Sequence, residues 1–261
     1  MKIMHMADLH IREKNIDEAK KCLKYAVERA RQGVDLIIIA GDTFDSRDIK
    51  MDSQAARLAI LTVSALADIA PVAIVTGTPS HDGTAPDLLA YVTGENPIYT
   101  ATRPYQCVIE GAAVVTLVPT PTKQFFNDGN IQASNDAIAQ GMAGLFAGFG
   151  AQAADRVADH GGKIPHILVG HWNVSGSKLP TGQTLTGQDI DISVDQMMLA
   201  QPDIICLGHI HQKQKLGDRT FYPGSLYPLN WGETTEHGFY IHTLEGRQLV
   251  SSQYFNSPCR R

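Results

Sequence analysis

Aspartate and histidine recur in five short motifs whose residue types suit the binding of divalent metal ions. Carboxylate oxygens and imidazole nitrogens without a thiolate favour Mn²⁺, Fe or Zn²⁺ over a structural zinc site built from cysteine. Two such ions held close together need a shared ligand, usually a carboxylate, and the pair activates water for attack on a phosphoryl group. The sequence therefore predicts a two-metal phosphoester hydrolase. Its candidate ligands are Asp8, His10, Asp42, His171, His209 and His211.

The five motifs follow the ends of predicted β-strands. Strands alternate with helices over the first two thirds of the chain, which is typical of an α/β fold with a parallel sheet. The carboxyl ends of parallel strands form the crevice where ligands bind, so five loops should converge on one site. Glycines before Asp42, His171 and His209 are expected to let the backbone turn sharply there. The predicted strands are residues 3–7, 34–40, 72–76, 114–118, 167–169 and 204–207, and the predicted helices are residues 16–32, 53–69 and, with a break at its glycines, 131–160.

The sequence changes character towards its C-terminus. Strands separated by turns are predicted at 220–222, 238–243 and 248–254, and they suggest an antiparallel closing sheet. Residues 173–193 are rich in Gly, Ser and Thr and predict a long surface excursion. We find no linker or composition shift, so we expect residues 1–261 to form a single domain without a capping domain.

Composition restricts the class of protein. The net charge of −5 argues against a protein that coats nucleic acid non-specifically, but it allows a nuclease whose metals make the site positive. The four scattered cysteines are read as reduced thiols of a cytoplasmic protein, with Cys206 in the core. The longest apolar stretches, 34–40 and 59–70, are too short or interrupted to span a bilayer, so no membrane association is expected. Five histidines outside the strand ends are read as structural or surface residues: His5, His160, His166, His237 and His242.

The motifs resemble those of the calcineurin-like metallophosphoesterases. The stretches HMADLHI, IIIAGDTFDS, CLGHIHQKQ and YPGSLYPLNWGE…HGFYI are more narrowly similar to the SbcD-type nucleases of DNA double-strand-break repair. This resemblance runs from residue 1 to about residue 243. It implies a four-layer α/β/β/α sandwich, two metal ions with dependence on Mn²⁺, and action on DNA phosphodiesters.

The resemblance also implies a role for each motif residue. One metal would be held by Asp8, His10, Asp42 and His211, and the second by Asp42, His171, His209 and a ligand from the third motif. His81 would protonate the leaving oxygen, and its neighbour Asp82 could orient it. Asp45 is expected to bond to nearby backbone in preference to holding a ligand.

The third motif departs from the family pattern. The family has GNHD with Asn as a ligand, whereas this chain has GTPSHD, so Ser80 or Thr78 would replace the Asn. We favour Ser80 because it directly precedes His81. A hydroxyl is a poorer ligand than an amide carbonyl, and the second metal should be bound more weakly. The second departure is that the family's usual capping domain and ATPase-docking segment are missing from the sequence.

Three functions compete on this sequence. The first is a Mn²⁺-dependent DNA exo- or endonuclease in which a metal-activated water is the nucleophile. The second is a small-molecule phosphatase or cyclic-nucleotide phosphodiesterase, and the third is a degraded module that binds DNA or an ATPase. The expected partners are single- or double-stranded DNA, an SbcC-type ATPase in trans and a second copy of the chain.

Overall fold

The computed structural model of the chain describes residues 1–122, 135–178, 190–230, 233 and 235–260. Two six-stranded mixed sheets pack face to face, and helices cover the outer face of each. The expected four-layer α/β/β/α sandwich is confirmed. No helix within the described ranges is long and apolar enough to cross a membrane.

The first sheet begins with a parallel unit that the sequence predicted. Its parallel strands are consecutive in the chain and carry apolar side chains on both faces, as strands covered on both sides require. The helices between them lie on the outer face. In sheet order its strands are β14 (Gln248–Asn256), β13 (Gly238–Glu245), β1 (Lys2–Met6), β2 (Leu36–Ala40), β3 (Val72–Val75) and β4 (Ile98–Ala101), with helices α1 (Ile16–Ala30) and α2 (Gln54–Ala67) and a 3₁₀ helix at Ala85–Tyr91.

The second sheet supplies the other half of the sandwich. Its central strands are again parallel, and an antiparallel strand closes each edge. In sheet order its strands are β11 (Gln214–Leu216), β12 (Thr220–Tyr222), β10 (Ile204–Gly208), β7 (His166–His171), β6 (Ala113–Val118) and β5 (Tyr105–Ile109), with helices α3 (Asn135–Asp159) and α4 (Val194–Met198) outside.

Three expectations need correction. The C-terminal strands divide between the sheets: β13 pairs antiparallel with β1 and β14 pairs antiparallel with β13 in the first sheet, but residues 220–222 join the second sheet parallel to β10. The predicted break in residues 131–160 is absent from the described part, because α3 is continuous. Residues 173–193 begin and end in the short paired strands β8 (Asn173–Val174) and β9 (Asp191–Ile192), and the rest of the predicted excursion, 179–189, lies outside the described residues.

Candidate metal centre

The five motifs meet at one edge of the sandwich, but they come from both sheets. Asp8, Asp42 and the third motif follow the adjacent parallel strands β1, β2 and β3 of the first sheet. His171 ends β7, and His209 directly follows β10, its neighbour in the second sheet. The carboxyl ends of five parallel strands therefore face the same space, as the sequence predicted, although two sheets supply them.

Carboxylate and imidazole atoms lie close enough to share metal ions. Asp8, His10 and His211 form one group, and Asp8, Asp42 and His171 form another, with the ligand atoms within each group no more than 4.8 Å apart. Asp42 Oδ2 lies 3.7 Å from His10 Nε2 and 3.2 Å from His171 Nε2. One carboxylate oxygen therefore stands between the two sets of histidines, where a bridging ligand would be needed.

His209 lies beside the second group. Its ring meets the His171 ring edge-on, with centroids 5.3 Å apart, and its backbone amide donates to Asp8 Oδ1 at 2.9 Å. The other oxygen of Asp8 is buried and has no hydrogen-bond partner among the described residues. Asp8 thus has one oxygen committed to the backbone of the opposite sheet and one free to bind a cation.

The environment of these side chains fits divalent cations. Asp8 and Asp42 are almost completely buried, and burying carboxylates without a compensating charge is costly. His10 Nε2 and His211 Nε2 approach to 3.1 Å, a spacing that suits two nitrogens bound to one ion. His171 Nδ1 donates to the Ala40 carbonyl at 2.7 Å, so its Nε2 keeps the lone pair that a ligand needs.

The carboxylates give the site a strong preference for positive charge. Burial would lower the pKa of His171, but the nearby Asp42 carboxylate outweighs it and raises the pKa to about 9. Burial likewise opposes protonation of His10, yet its contacts with Asp45, Asp42 and Asp8 raise its pKa. The pKa of Asp42 is lowered because the His171 and His10 rings outweigh the effect of its burial. Metal ions therefore compete with protons for the histidine nitrogens, and the negative carboxylates favour both.

Strained backbone is concentrated at the candidate ligands. Five non-glycine residues in the described ranges have positive φ, and four of them belong to the site. Asp8, His10 and Asp42 have φ values of 51°, 40° and 49°, and His209 has 98°. Such conformations cost about 1–3 kcal/mol each and are retained where function requires them.

The comparison with protein families agrees with this geometry. The model of the calcineurin-like phosphoesterase family matches residues 1–213. The chain belongs to this family. Its members bind two divalent metal ions and hydrolyse phosphoesters, and this phosphoesterase brings candidate ligands together in two adjoining groups.

A solved structure shares the fold of this phosphoesterase. It is described as "GAP50 the anchor in the inner membrane complex of Plasmodium", with a TM-score of 0.60 and 14% sequence identity. The match covers 99% of this chain and 85% of that one. At this identity the similarity shows the fold alone. No curated protein matches the chain, and the narrower resemblance to SbcD-type nucleases stays a prediction.

The third motif places Thr78, and not the favoured Ser80, at the metal centre. The Thr78 hydroxyl donates to Asp42 Oδ2 at 3.2 Å and lies 3.4 Å from His171 Nε2, while its amide donates to Asp42 Oδ1 at 2.6 Å. Ser80 lies on the exposed part of the turn, where its carbonyl accepts from the amide of Arg47. The two additional residues of the loop therefore bulge outward after Thr78, which keeps the position directly after Gly77.

Asp82 does not take its expected place beside His81. The Asp82 carboxylate is buried and accepts from the amides of Phe44 and Gly77 at 2.9 and 2.7 Å. Burial and the neighbouring Asp42 charge raise its pKa to about 6. The expected catalytic role is thus corrected to a structural one, in which Asp82 ties the loop after β2 to the loop after β3.

His81 is positioned by Asp45 instead. Its Nδ1 donates to the Asp45 backbone carbonyl at 3.1 Å, and its ring meets His10 edge-on with centroids 4.7 Å apart. The Asp45 carboxylate contacts His10 Nδ1 at 3.3 Å and accepts from Arg12 at 2.9 Å. Asp45 therefore contacts a candidate ligand as well as His81, which is the less favoured of the two roles expected for it.

The sequence analysis missed two residues that hold this arrangement. Arg12 bonds to Asp45 and also donates to the Leu229 carbonyl at 2.8 Å, and the Tyr227 hydroxyl donates to the His10 carbonyl at 2.9 Å. The position of Arg12 two residues after His10 was a weak signal for its role. Tyr227 is more than 200 residues from His10 in the chain, and no local pattern could indicate that contact.

The glycines of the motifs act mostly through close packing. Gly41 has the predicted positive φ of 83°. In contrast, a Cβ on Gly208 would lie 1.9 Å from the Ala40 carbonyl oxygen, and one on Gly170 would lie 2.0 Å from the Trp172 ring. The expectation that all three glycines make sharp turns is therefore correct for Gly41, while the other two leave room for neighbouring atoms.

Proposed function

We propose that this phosphoesterase is a Mn²⁺-dependent DNA phosphodiesterase with exo- or endonucleolytic activity. The observation that carries the hydrolytic part is Asp42 Oδ2, which stands between His10 Nε2 and His171 Nε2 at 3.7 and 3.2 Å. The preference for DNA is supported by the four sequence stretches similar to SbcD-type nucleases. An SbcC-type ATPase partner, self-association and a cytoplasmic location belong to the same proposal.

By the family resemblance, the candidate ligands would divide into two sets that share Asp42: Asp8, His10, Asp42 and His211 in the first, and Asp42, His171 and His209 in the second, completed by the Thr78 hydroxyl in place of an Asn. The close approach of Asp8 to His10 and His211, and of Asp8 and Asp42 to His171, supports this division. When bound, two divalent ions supply Lewis-acid stabilisation of the phosphoryl oxygens and an activated water. Because a hydroxyl replaces an amide carbonyl, we expect the second site to bind its ion more weakly than the first.

The protein's own residues orient the ligands and deliver a proton. The Ala40 carbonyl fixes the tautomer of His171, and the Asp45 carboxylate holds His10. The Asp45 carbonyl accepts from the Nδ1–H of His81, so His81 would act as the acid in its imidazolium form and give the Nε2 proton to the leaving oxygen. His81 is half-buried beside His10 and can therefore contact both solvent and a substrate at the centre.

The proposal is tested by Mn²⁺-dependent cleavage of end-labelled single- and double-stranded DNA. We compare the native chain with His81→Ala and with the control His160→Ala, an exposed histidine at the end of α3. Loss of a general acid lowers the rate by about 10²–10⁴-fold. We expect this for His81→Ala with unchanged Mn²⁺ content, and native activity for His160→Ala. Absence of cleavage of every DNA form by the native chain would refute the DNA preference.

A small-molecule phosphodiesterase is the second candidate, and the net charge of −5 favours it. An acidic protein gains less from long-range attraction to a polyanion than a basic one does. Hydrolysis of bis(p-nitrophenyl) phosphate by a native chain that leaves DNA intact selects this alternative. Binding of two metal ions per chain argues against the third possibility, a degraded module that only binds DNA or an ATPase.

A further inference from the structure

We propose that the phosphoesterase has a separate copper site between its two sheets, in which His5, Cys206 and His242 bind one Cu(I) ion. The three side chains come from β1, β10 and β13 and are completely inaccessible to solvent. Each offers one ligand atom, and these atoms lie within 4.8 Å of one another. The site is distinct from the catalytic centre, since His5 and Cys206 lie within β1 and β10, three residues before the candidate ligands Asp8 and His209 that follow these strands.

These residues interrupt an otherwise apolar interface. The neighbouring inward positions are Ile3 on β1 and Ala7 directly after it, and Tyr240 and Leu244 on β13. Aliphatic side chains from both sheets fill the remaining space. Two imidazoles at this depth incur a desolvation cost that apolar residues would avoid, and contacts with the Leu207 carbonyl and the Ser252 hydroxyl offset part of it.

Each imidazole is held by one nitrogen and turns the other towards the shared point. His5 Nε2 donates to the Leu207 carbonyl at 3.1 Å, and His242 Nδ1 lies 2.8 Å from the Ser252 hydroxyl. Metal-bound histidines are typically fixed in this way by an oxygen on the nitrogen that does not bind the ion. Aromatic rings of Tyr240 and Phe221 pack on His242 and restrict it further.

The distance between the two inward nitrogens is the one expected when both bind the same metal ion. His5 Nδ1 and His242 Nε2 are 3.4 Å apart. Nitrogens about 2.0 Å from one ion, at angles of about 110–120°, are separated by about 3.3–3.5 Å. The spacing is long for a hydrogen bond and falls within the range expected for two nitrogens on one ion.

The charge of the site selects a monovalent ion. Burial lowers the pKa of His5 to about 3 and raises the pKa of the Cys206 thiol, so the surroundings disfavour any net charge. Binding of Cu(I) replaces the thiol proton, which leaves for solvent, and the thiolate and the ion together are neutral. Zn²⁺ with the same ligands would leave one positive charge buried without a partner and would lack a fourth ligand. A thiolate with two imidazoles is also a donor set suited to copper.

The test is an anaerobic titration of the Mn²⁺-saturated full chain with Cu(I) against the chelator bicinchoninate. Because the site is buried, a second sample is refolded from urea in the presence of Cu(I). We compare the native chain with Cys206→Ser and with the matched control Cys107→Ser, a half-buried cysteine on β5 outside the cluster. Copper content after gel filtration gives the stoichiometry, and X-ray absorption at the copper edge gives the ligand atoms.

We expect one Cu(I) per chain for the native protein and for Cys107→Ser, in a shell of two nitrogens and one sulfur. Affinity should fall at least about 100-fold for Cys206→Ser, because loss of a ligand should cost more than the roughly 10–100-fold that follows the loss of a group orienting one. If that variant does not fold, His242→Phe removes one nitrogen and keeps an aromatic ring in place. No bound copper by either route, equal binding by the native and ligand variants, or stronger binding of Zn²⁺ than of Cu(I) would overturn the proposal.

Discussion

Replacement of Asp82 should destabilise the chain and loosen its metal centre without removing a catalytic group. The Asp82 carboxylate accepts from two buried amides, Phe44 N at 2.9 Å and Gly77 N at 2.7 Å. Each buried amide left without an acceptor costs about 1–3 kcal/mol, so Asp82→Ala should lower the free energy of unfolding by about 2–6 kcal/mol. Asp82→Asn should cost less than Asp82→Ala, since it keeps one acceptor oxygen and removes the repulsion from Asp42, but its amide nitrogen leaves one of the two backbone amides without an acceptor.

The effect should extend to metal binding because both amides lie in ligand loops. Phe44 is two residues after Asp42, and Gly77 directly precedes Thr78, whose hydroxyl and amide bond to Asp42. Loss of groups that hold ligands in place typically lowers metal affinity about 10–100-fold. We expect a decrease in Mn²⁺ affinity of this size for Asp82→Ala and a smaller one for Asp82→Asn.

Urea unfolding of the metal-free chain and Mn²⁺ titration measure the two effects. Asp155→Ala, an exposed position within α3, is the matched control and should lie within about 0.5 kcal/mol of the native chain. A native urea midpoint for Asp82→Ala would refute the structural role. So would a variant of native stability and metal affinity whose only defect is an altered pH dependence of hydrolysis, the result expected if Asp82 oriented His81.

Three further predictions follow from single contacts. Gly208→Ala should lower the free energy of unfolding, measured in urea, by about 1–3 kcal/mol or more, because its Cβ would lie 1.9 Å from the Ala40 carbonyl oxygen that accepts from His171. Gly217→Ala is the control: its Cβ would meet no atom within 4 Å, so this variant tests the strain of a positive φ alone. Asp45→Asn should weaken Mn²⁺ binding about 10–100-fold by titration, because it loosens the hold on His10, and an unchanged affinity would contradict this. Burial lowers the pKa of His166 from 6.5 to about 4, so the unfolded chain binds more protons than the folded chain between these pH values. The free energy of unfolding should therefore decrease by up to about 3 kcal/mol as the pH falls from 6.5 to 4. In His166→Gln, the urea midpoint should depend less on pH over this range.

The sequence predicted those parts of the fold that depend on local patterns. The β-branched runs at 34–40 and 72–76 became the buried strands Leu36–Ala40 and Val72–Val75, and the helix at 53–69 was found at Gln54–Ala67. Their apolar faces fix both the element type and its burial, which is why the strand ends could be located. Convergence of the motifs followed, because parallel strands present their carboxyl ends together.

Features that depend on pairing between distant segments could not be predicted in this way. The strands Ile98–Ala101 and Tyr105–Ile109 are short and only partly buried, so their patterns resemble those of loops. The assignment of strands to two sheets is set by contacts across the chain, such as that between β10 and β12. The roles of Thr78 and Asp82 depend on how a loop with two additional residues folds, and sequence adjacency to His81 pointed to the wrong side chains.

The strained ligands can be explained by the hydrogen bonds that hold the loops around them. Beyond the ends of β1 and β2, the Asp8 amide donates to the Gly41 carbonyl at 3.0 Å, and the His10 amide donates to the Asp42 carbonyl at 2.9 Å. These bonds continue the pairing of the two strands into the loops, although Asp8, His10 and Asp42 have positive φ. The backbone conformation is thus maintained by interactions that need no metal, so the ligands are arranged before an ion arrives. Because the strand ends supply this arrangement, the entropy of ordering the site is lost when the chain folds. That loss therefore does not reduce the affinity for metal.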